Sequence, residues 1–302
     1  MKTFLLSLTV AALCAGAPAS SAQALRPVAW FDGEQTEFPE SIAIDRHGNL
    51  YLSLTMAQGI KKITPQGTQS DFAHIPDDWL LGLTFDPAGN LVAAGALGIW
   101  KVSPAGCVWL FATVPGHHSL NDLVYDRRGN LYVTDDELGV IWKIDSGGGA
   151  AIWSDDPLFK ATDPAYPFPV GCNGIAFSRD QKTLYVTNTS DGYLLAVDVK
   201  PNGAAGPVSV VAADARLIGA DGIKTDDADN VYVAQNIQRK ILRIKKTGQI
   251  NTLAEGGLLS FPTSLVFGRG RDAATFFICN NGDAFFSDTP SGQGVLRLDL
   301  RR

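Results

Sequence analysis

Glu40, Asn121, Asn173 and Asp221 occupy the same place in four copies of a repeated segment, and each ends in an oxygen donor. Two carboxylates and two carboxamides gathered at one point make a ligand set for a hard divalent cation. An ion held this way keeps open positions. It can polarise the carbonyl of a lactone or ester and stabilise the charge that develops on its oxygen. Two amides among four ligands limit the negative charge to two, which holds the ion without quenching its electrophilicity.

That reading depends on a repeat bringing the four residues together. The copies read SIAIDRHGNLYLSL from Ser41, GLTFDPAGNLVAAG from Gly82, DLVYDRRGNLYVTD from Asp122, GIAFSRDQKTLYVTN from Gly174, GIKTDDADNVYVAQ from Gly222 and SLVFGRGRDAATFFIC from Ser264. The aligned residues Tyr51, Val92, Tyr132, Tyr185, Tyr232 and Phe277 are spaced by 41, 40, 53, 47 and 45. A period in the forties with several short strands per unit is that of a β-propeller blade, so the sequence predicts an all-β, six-bladed propeller. The first strand of a blade lines the central channel. Six positions just ahead of those strands, Glu40, Leu81, Asn121, Asn173, Asp221 and Thr263, are therefore expected to ring one mouth.

The rest of the chain fits this plan. Blades 1 to 5 each close with a third and a fourth strand, whereas the sixth ends at VLRLDL, residues 295–300. The strand predicted over 26–31 is expected to supply the missing outer strand and remove the open edges. Asp45, Asp86 and Asp126 repeat with an Asp-x-x-Gly-Asn turn and read as turn-capping residues at the far end of the inner strands. Long loops should wall a pocket on the ring face. They bring Trp79 ahead of Leu81, Phe159, Tyr166 and Phe168 within 155–171, and Phe285 and Phe286 within 279–294. His117 and His118 lead into Asn121, and Trp79, His118, Tyr166 and Phe168 are the expected substrate contacts. Asn188, Asp191 and Asn236 lie on the same face, either as further contacts or as loop braces.

Composition narrows the function. The 302 residues are 45% hydrophobic, with 31 Gly and 16 Pro, which suits a turn-rich β fold with a large core. A net charge of −6 and the lack of a basic patch with interleaved aromatics argue against nucleic acid. Lys2, the apolar run Phe4 to Ala17 and small residues up to Ala24 predict a signal peptide over 1–24, leaving a single domain over 25–302. The run is too short to span a bilayer. The expected protein is secreted or periplasmic, off the membrane after cleavage, and a monomer by default. Cys107, Cys172 and Cys279 remain, an odd number with no metal-binding spacing. Cys107 is expected in a turn on the far face, and Cys172 and Cys279 near the ring face, too far apart to bridge.

The segments NGIAFSRDQKTLYVTNTSDG from Asn173, ADGIKTDDADNVYVA from Ala220 and LNDLVYDRRGNLYVT from Leu120 resemble the senescence marker protein/gluconolactonase (regucalcin-like) family. More distantly they are similar to the diisopropyl fluorophosphatase and paraoxonase propellers. The resemblance spans essentially the whole chain after residue 24. It implies one divalent cation on Glu40, Asn121, Asn173 and Asp221, calcium first, with zinc, manganese or magnesium as alternatives. It implies catalytic roles for Asp221, as base toward a polarised water, and for Asn121. Two departures concern the substrate. The family's substrate-holding Arg is replaced by Ser119, and Glu40 is followed by Ser41 where the family has Gly-Pro. The expected function is metal-dependent opening of a lactone or related ester on a small-molecule substrate. A phosphotriesterase-type hydrolase and a non-catalytic ligand- or protein-binding propeller with a structural ion are the alternatives.

Overall fold

In blade 1 the repeated turn is built by one side chain. Asp45 accepts the backbone N–H groups of His47 and Asn49 at 2.8 and 2.9 Å and the Asn49 amide at 2.7 Å. Gly48 takes the left-handed conformation, φ +83°, that closes such a turn. Asp86, Asp126 and Asp226 hold Asn90, Asn130 and Asn230 in the same way. The aspartates are turn caps, as their spacing suggested. Each turn pairs the first and second strands of its blade.

The computed structural model describes residues 24–163, 166–282 and 291–300. Within these, the strands form six four-stranded antiparallel sheets. Five are runs of consecutive strands. Their inner strands are Pro39–Ile44, Leu80–Phe85, Leu120–Tyr125, Cys172–Phe177 and Ala220–Thr225. The sixth takes Pro262–Phe267, Thr275–Asn280 and Gly294–Asp299, and its fourth strand is Leu25–Trp30 from the other end of the chain. Leu25 pairs with Leu298 and Trp30 with Gly294. The ring is closed by the N-terminal strand, as expected. Cys279 lies inside the strand Thr275–Asn280, not in the loop that the sequence suggested began there.

The core is divided among six seams, each a cluster of buried side chains shared by neighbouring blades. Tyr132 shows how a seam is filled, with its ring edge-on to Trp153 at 5.0 Å and to Phe177 of the next blade at 5.1 Å. Ala29 and Phe31 join Leu52, Ile63 and Phe277 in the closing seam. Removing the first strand would therefore open the core as well as the sheet edge.

The inner strands meet closely around the channel, and this explains the glycine that follows the ring position in blades 2, 4 and 5. A Cβ on Gly82 would lie 2.3 Å from the Asn121 carbonyl oxygen, and one on Gly174 would lie 2.2 Å from that of Asp221. Only glycine fits there. In blades 1 and 3 the equivalent residues instead reach across to the next blade: Ser41 Oγ accepts from Leu83 N–H at 3.1 Å and Asp122 from Ile175 N–H at 3.2 Å.

Candidate active site at the channel mouth

The six ring positions recur at one place in each blade, but inside the inner strand as its second residue and not just ahead of it, because pairing with the second strand begins one residue earlier. Glu40, Leu81, Asn121, Asn173 and Asp221 line a single cavity of about 900 Å³ that opens on one face of the propeller. Thr263 does not line it. Its hydroxyl donates to the Glu40 carbonyl at 2.7 Å and ties blade 6 to blade 1.

A second tier of residues sits over the ring. In every blade the backbone N–H of one residue donates to the carbonyl of the residue two before the ring position. These residues are Thr55, Ala96, Asp136, Thr189, Asn236 and Asn281. Three of them hold ring side chains. Asn121 donates its amide to Asp136 at 2.7 Å, Asn236 donates to Asp221 at 3.1 Å, and Asn281 donates to Glu40 at 3.1 Å. Asn236 also donates to the Tyr166 hydroxyl at 3.0 Å, which fixes the loop that carries it. Neither Asp136 nor Asn281 was expected from the sequence. For Asp136 a signal was available at a constant offset from the ring, 15 residues in blades 1, 2, 3 and 5, whereas Asn281 lies 18 residues after Thr263 and breaks that offset.

The cavity is therefore lined by four carboxylates, Glu40, Asp136, Glu137 and Asp221, of which Glu137 is exposed. The other three lie where water is scarce and each is pushed up. Burial, then the charge of Asp136, raises Glu40 to about 8 against the pull of Asn281. Burial, then the charge of Glu40, drives Asp221 well above the ordinary range. Burial raises Asp136 to about 6, countered by Ser119 and Asn121. Among the described residues no lysine or arginine pairs with Glu40 or Asp221. The carbonyl oxygen of the Asn173 side chain and the second oxygen of Asp136 are buried and accept no hydrogen bond from the described residues. Buried anions and orphaned oxygens at one place are costly unless a cation completes them, so this donor set fits a hard divalent ion.

The walls are less polar than the floor. Tyr166, Phe168, Pro169 and Val170 form one side, and Met56 and Trp79 another. Tyr166 is buried edge-on to Phe168 at 5.1 Å. His118 lines the cavity too, whereas His117 does not; its ring is engaged by the carbonyls of Val114 and Ala96. Asn188 and Asp191 prove to be braces. Asn188 donates to the carbonyls of Leu158 and Lys160, and Asp191 accepts from the backbone of Thr162 and Asp163. Phe285 and Phe286 lie outside the described residues. Cys107, Cys172 and Cys279 are unbridged. Burial pushes the thiols of Cys172 and Cys279 well up, which makes them inert hydrophobes.

A closed six-bladed propeller with a ring of oxygen donors at one mouth defines a recognisable class. Residues 38–281 match the family model described as SMP-30/Gluconolactonase/LRE-like region, and the chain belongs to that family. It is 31% identical over 229 residues to the Lactonase drp35 of Staphylococcus saprophyticus, covering 69% of this chain and 67% of that one. A gluconolactonase from Xanthomonas campestris superposes with a TM-score of 0.71 at 18% identity, covering 92% of this chain and 89% of the other. A calcium-binding regucalcin from Agrobacterium tumefaciens does so with 0.70 at 17%, covering 92% and 94%. At these identities the two structures speak for the fold alone.

Proposed function

We propose that the protein is a lactonase-type hydrolase that works on a small molecule as a monomer. In this reading one divalent cation, calcium first, is held by Glu40, Asn121, Asn173 and Asp221. The observation that carries it is the pair of carboxylates Glu40, half-buried, and Asp221, buried, set beside orphaned amide and carboxylate oxygens, with no lysine or arginine paired to either among the described residues. Membership of the family and likeness to the Lactonase drp35 proteins support a lactone as the group attacked.

When bound, the cation supplies Lewis-acid polarisation of the carbonyl. The chain's own residues do the rest. Asn236 occupies one oxygen of Asp221 and leaves the other to take a proton as water adds to the carbonyl carbon. The ring C–O bond then breaks, the proton passes to the departing alkoxide oxygen, and lactone plus water yields one hydroxy acid. Asp136 holds the Asn121 amide nitrogen, so that the Asn121 oxygen is the donor left for the ion. Tyr166 and Phe168 shield the floor from bulk water, and His118 contacts the substrate at the rim.

The test is lactone hydrolysis before and after chelation, with metal content followed by mass spectrometry. Turnover should vanish with the metal and return with calcium. Glu40→Gln and Asp221→Ala should each lower kcat/KM by at least about 100-fold while melting as cooperatively as wild type. Full turnover by metal-free protein would end this reading. We further propose that residues 1–24 direct export and are removed, on the strength of Lys2, the apolar run and the small-residue sites. A mature N-terminus at or near Leu25 in the exported protein is the expected result.

A further inference from the structure

The two tiers of the mouth are not alike in every sector. In five blades at least one of the two facing positions carries a polar side chain: Glu40 and Thr55, Asn121 and Asp136, Asn173 and Thr189, Asp221 and Asn236, Thr263 and Asn281. Blade 2 has Leu81 and Ala96. Nothing in that sector's tiers can hydrogen-bond through its side chain.

The apolar character extends upward from there. Trp79, two residues before Leu81, is 61% exposed, and Met56, over the edge of blade 1, is 55% exposed; both line the cavity with Leu81. Large apolar side chains standing in water at the rim of a polar-floored cavity need a reason. They are also held in place. In blades 3 to 6 the last residue of the second strand, Asp135, Asn188, Gln235 or Asn280, reaches back to fasten the loop leading into the blade. In blade 2 that residue is Gly95, and the clamp comes from the opposite direction. Fully buried Asp78 fills the space a Gly95 Cβ would need, 2.5 Å from the Asp78 carboxylate, and accepts from the Leu97 N–H and the Trp100 indole. Asp77 takes a left-handed φ of +62° to set Asp78 inward, and Trp79 follows outward. Ser53 and Thr55 of blade 1 donate to the carbonyls of Leu81 and Leu80 at 2.6 and 3.2 Å, which keeps the Met56 edge beside Trp79.

We infer that blade 2 is a subsite for a hydrocarbon substituent on the substrate. The lactone carbonyl lies on the oxygen-donor floor and an alkyl chain leaves across Leu81 between Met56 and Trp79. This rests on the hydrolase reading above for the reacting group, and it adds the substrate class: an alkyl-substituted lactone in place of a polyhydroxylated one. A hydroxyl group laid over Leu81 and Ala96 would lose its water and find no side-chain partner there.

The experiment is a series of γ-lactones with unbranched chains of zero, two, four and six carbons, assayed on the metal-loaded protein. Burial of each methylene should raise kcat/KM about three- to fourfold until the chain passes Trp79. Trp79→Ala should flatten that dependence to below about twofold per methylene and Trp79→Phe should restore most of it. Trp109→Ala, on the outer strand Val108–Ala112, should leave it as in wild type. In parallel, calorimetric Kd values for 2-alkylcyclopentanones, ketones that cannot be opened, should fall with chain length in the same way. Lactones opened with no chain dependence would overturn the subsite and leave the hydrolase reading standing. A chain-dependent Kd without any turnover would sustain the apolar subsite and sink the hydrolase. A chain-length dependence that Trp79→Ala leaves unchanged would also overturn the assignment.

Discussion

Asp221 and Asp226 stand five residues apart, at the two ends of the inner strand of blade 5, and the protein treats them in opposite ways. Burial pushes Asp226 up, but four donors overcome it: the side chain and backbone of Asn230, the Tyr232 hydroxyl and the Ala228 N–H hold it below the ordinary carboxylate range. Asp221 has the burial, the charge of Glu40 and one donor, Asn236, and it is driven well above that range. The same comparison holds in blade 1 between Asp45, lowered by Asn49, His47 and Tyr51 against its burial, and Glu40, raised by burial to about 8. A carboxylate that caps a turn is completed by the protein. One that is left short of donors in a buried ring is where the proposed cation would act, and that contrast separates the proposed functional end of the channel from the structural end.

Substitutions at the two ends should separate activity from stability. At the mouth, Asp221→Ala and Glu40→Gln should cost at least about 100-fold in kcat/KM and remove metal binding, with little loss of the folded state. At the other end, Asp226→Ala strands the Asn230 and Ala228 N–H groups. It should cost about 1–3 kcal/mol in chemical denaturation while leaving kcat/KM per folded molecule unchanged. Equal effects on activity from both substitutions would erase the distinction.

Between these lies Gly174→Ala. Its new Cβ meets the Asp221 carbonyl oxygen at 2.2 Å, so the strand carrying Asp221 must move. A loss of about 1–3 kcal/mol together with reduced metal affinity is expected, the two measured by denaturation and calorimetry. A further contrast should appear in the pH dependence of the chelated protein. Glu40 titrates near 8 when folded and near its ordinary 4.5 when unfolded, so between these values the folded state binds more protons. Through Glu40 stability should fall as pH rises from about 4.5 to about 8, by up to about 1.4 kcal/mol per pH unit; Asp221, also raised, adds to the fall, so Glu40→Gln should lessen the slope without abolishing it. Asp226 acts in the other direction. Its lowered value contributes stability above the ordinary 3.8, which is lost as pH falls through the folded value.

Much of this was legible in the sequence because a propeller repeats. The spacing of Tyr51, Val92, Tyr132, Tyr185, Tyr232 and Phe277 placed the inner strands, and one offset then placed Glu40, Asn121, Asn173 and Asp221 at the cavity floor. The short sixth blade announced the closing role of Leu25–Trp30. Asp136 and Asn281 were harder to read. Their partners, Asn121 and Glu40, are reached from the end of the second strand, in the latter case across a blade boundary, and alignment on the inner strand alone does not show that contact. The Asp78–Gly95 exchange in blade 2 was hidden for a similar reason. The clamp changed strands, so no single repeat position carries it.

A cation that completes the carboxylates at the mouth should show itself when calcium is titrated into chelated protein at pH 7, by calorimetry in buffers of different ionisation enthalpy. Glu40 and Asp221 are held protonated there in the ion-free protein, so one calcium should bind per chain with release of about one to two protons. The release should shrink in Glu40→Gln. No stoichiometric binding of calcium, manganese, magnesium or zinc, or binding with no proton released, would contradict the account.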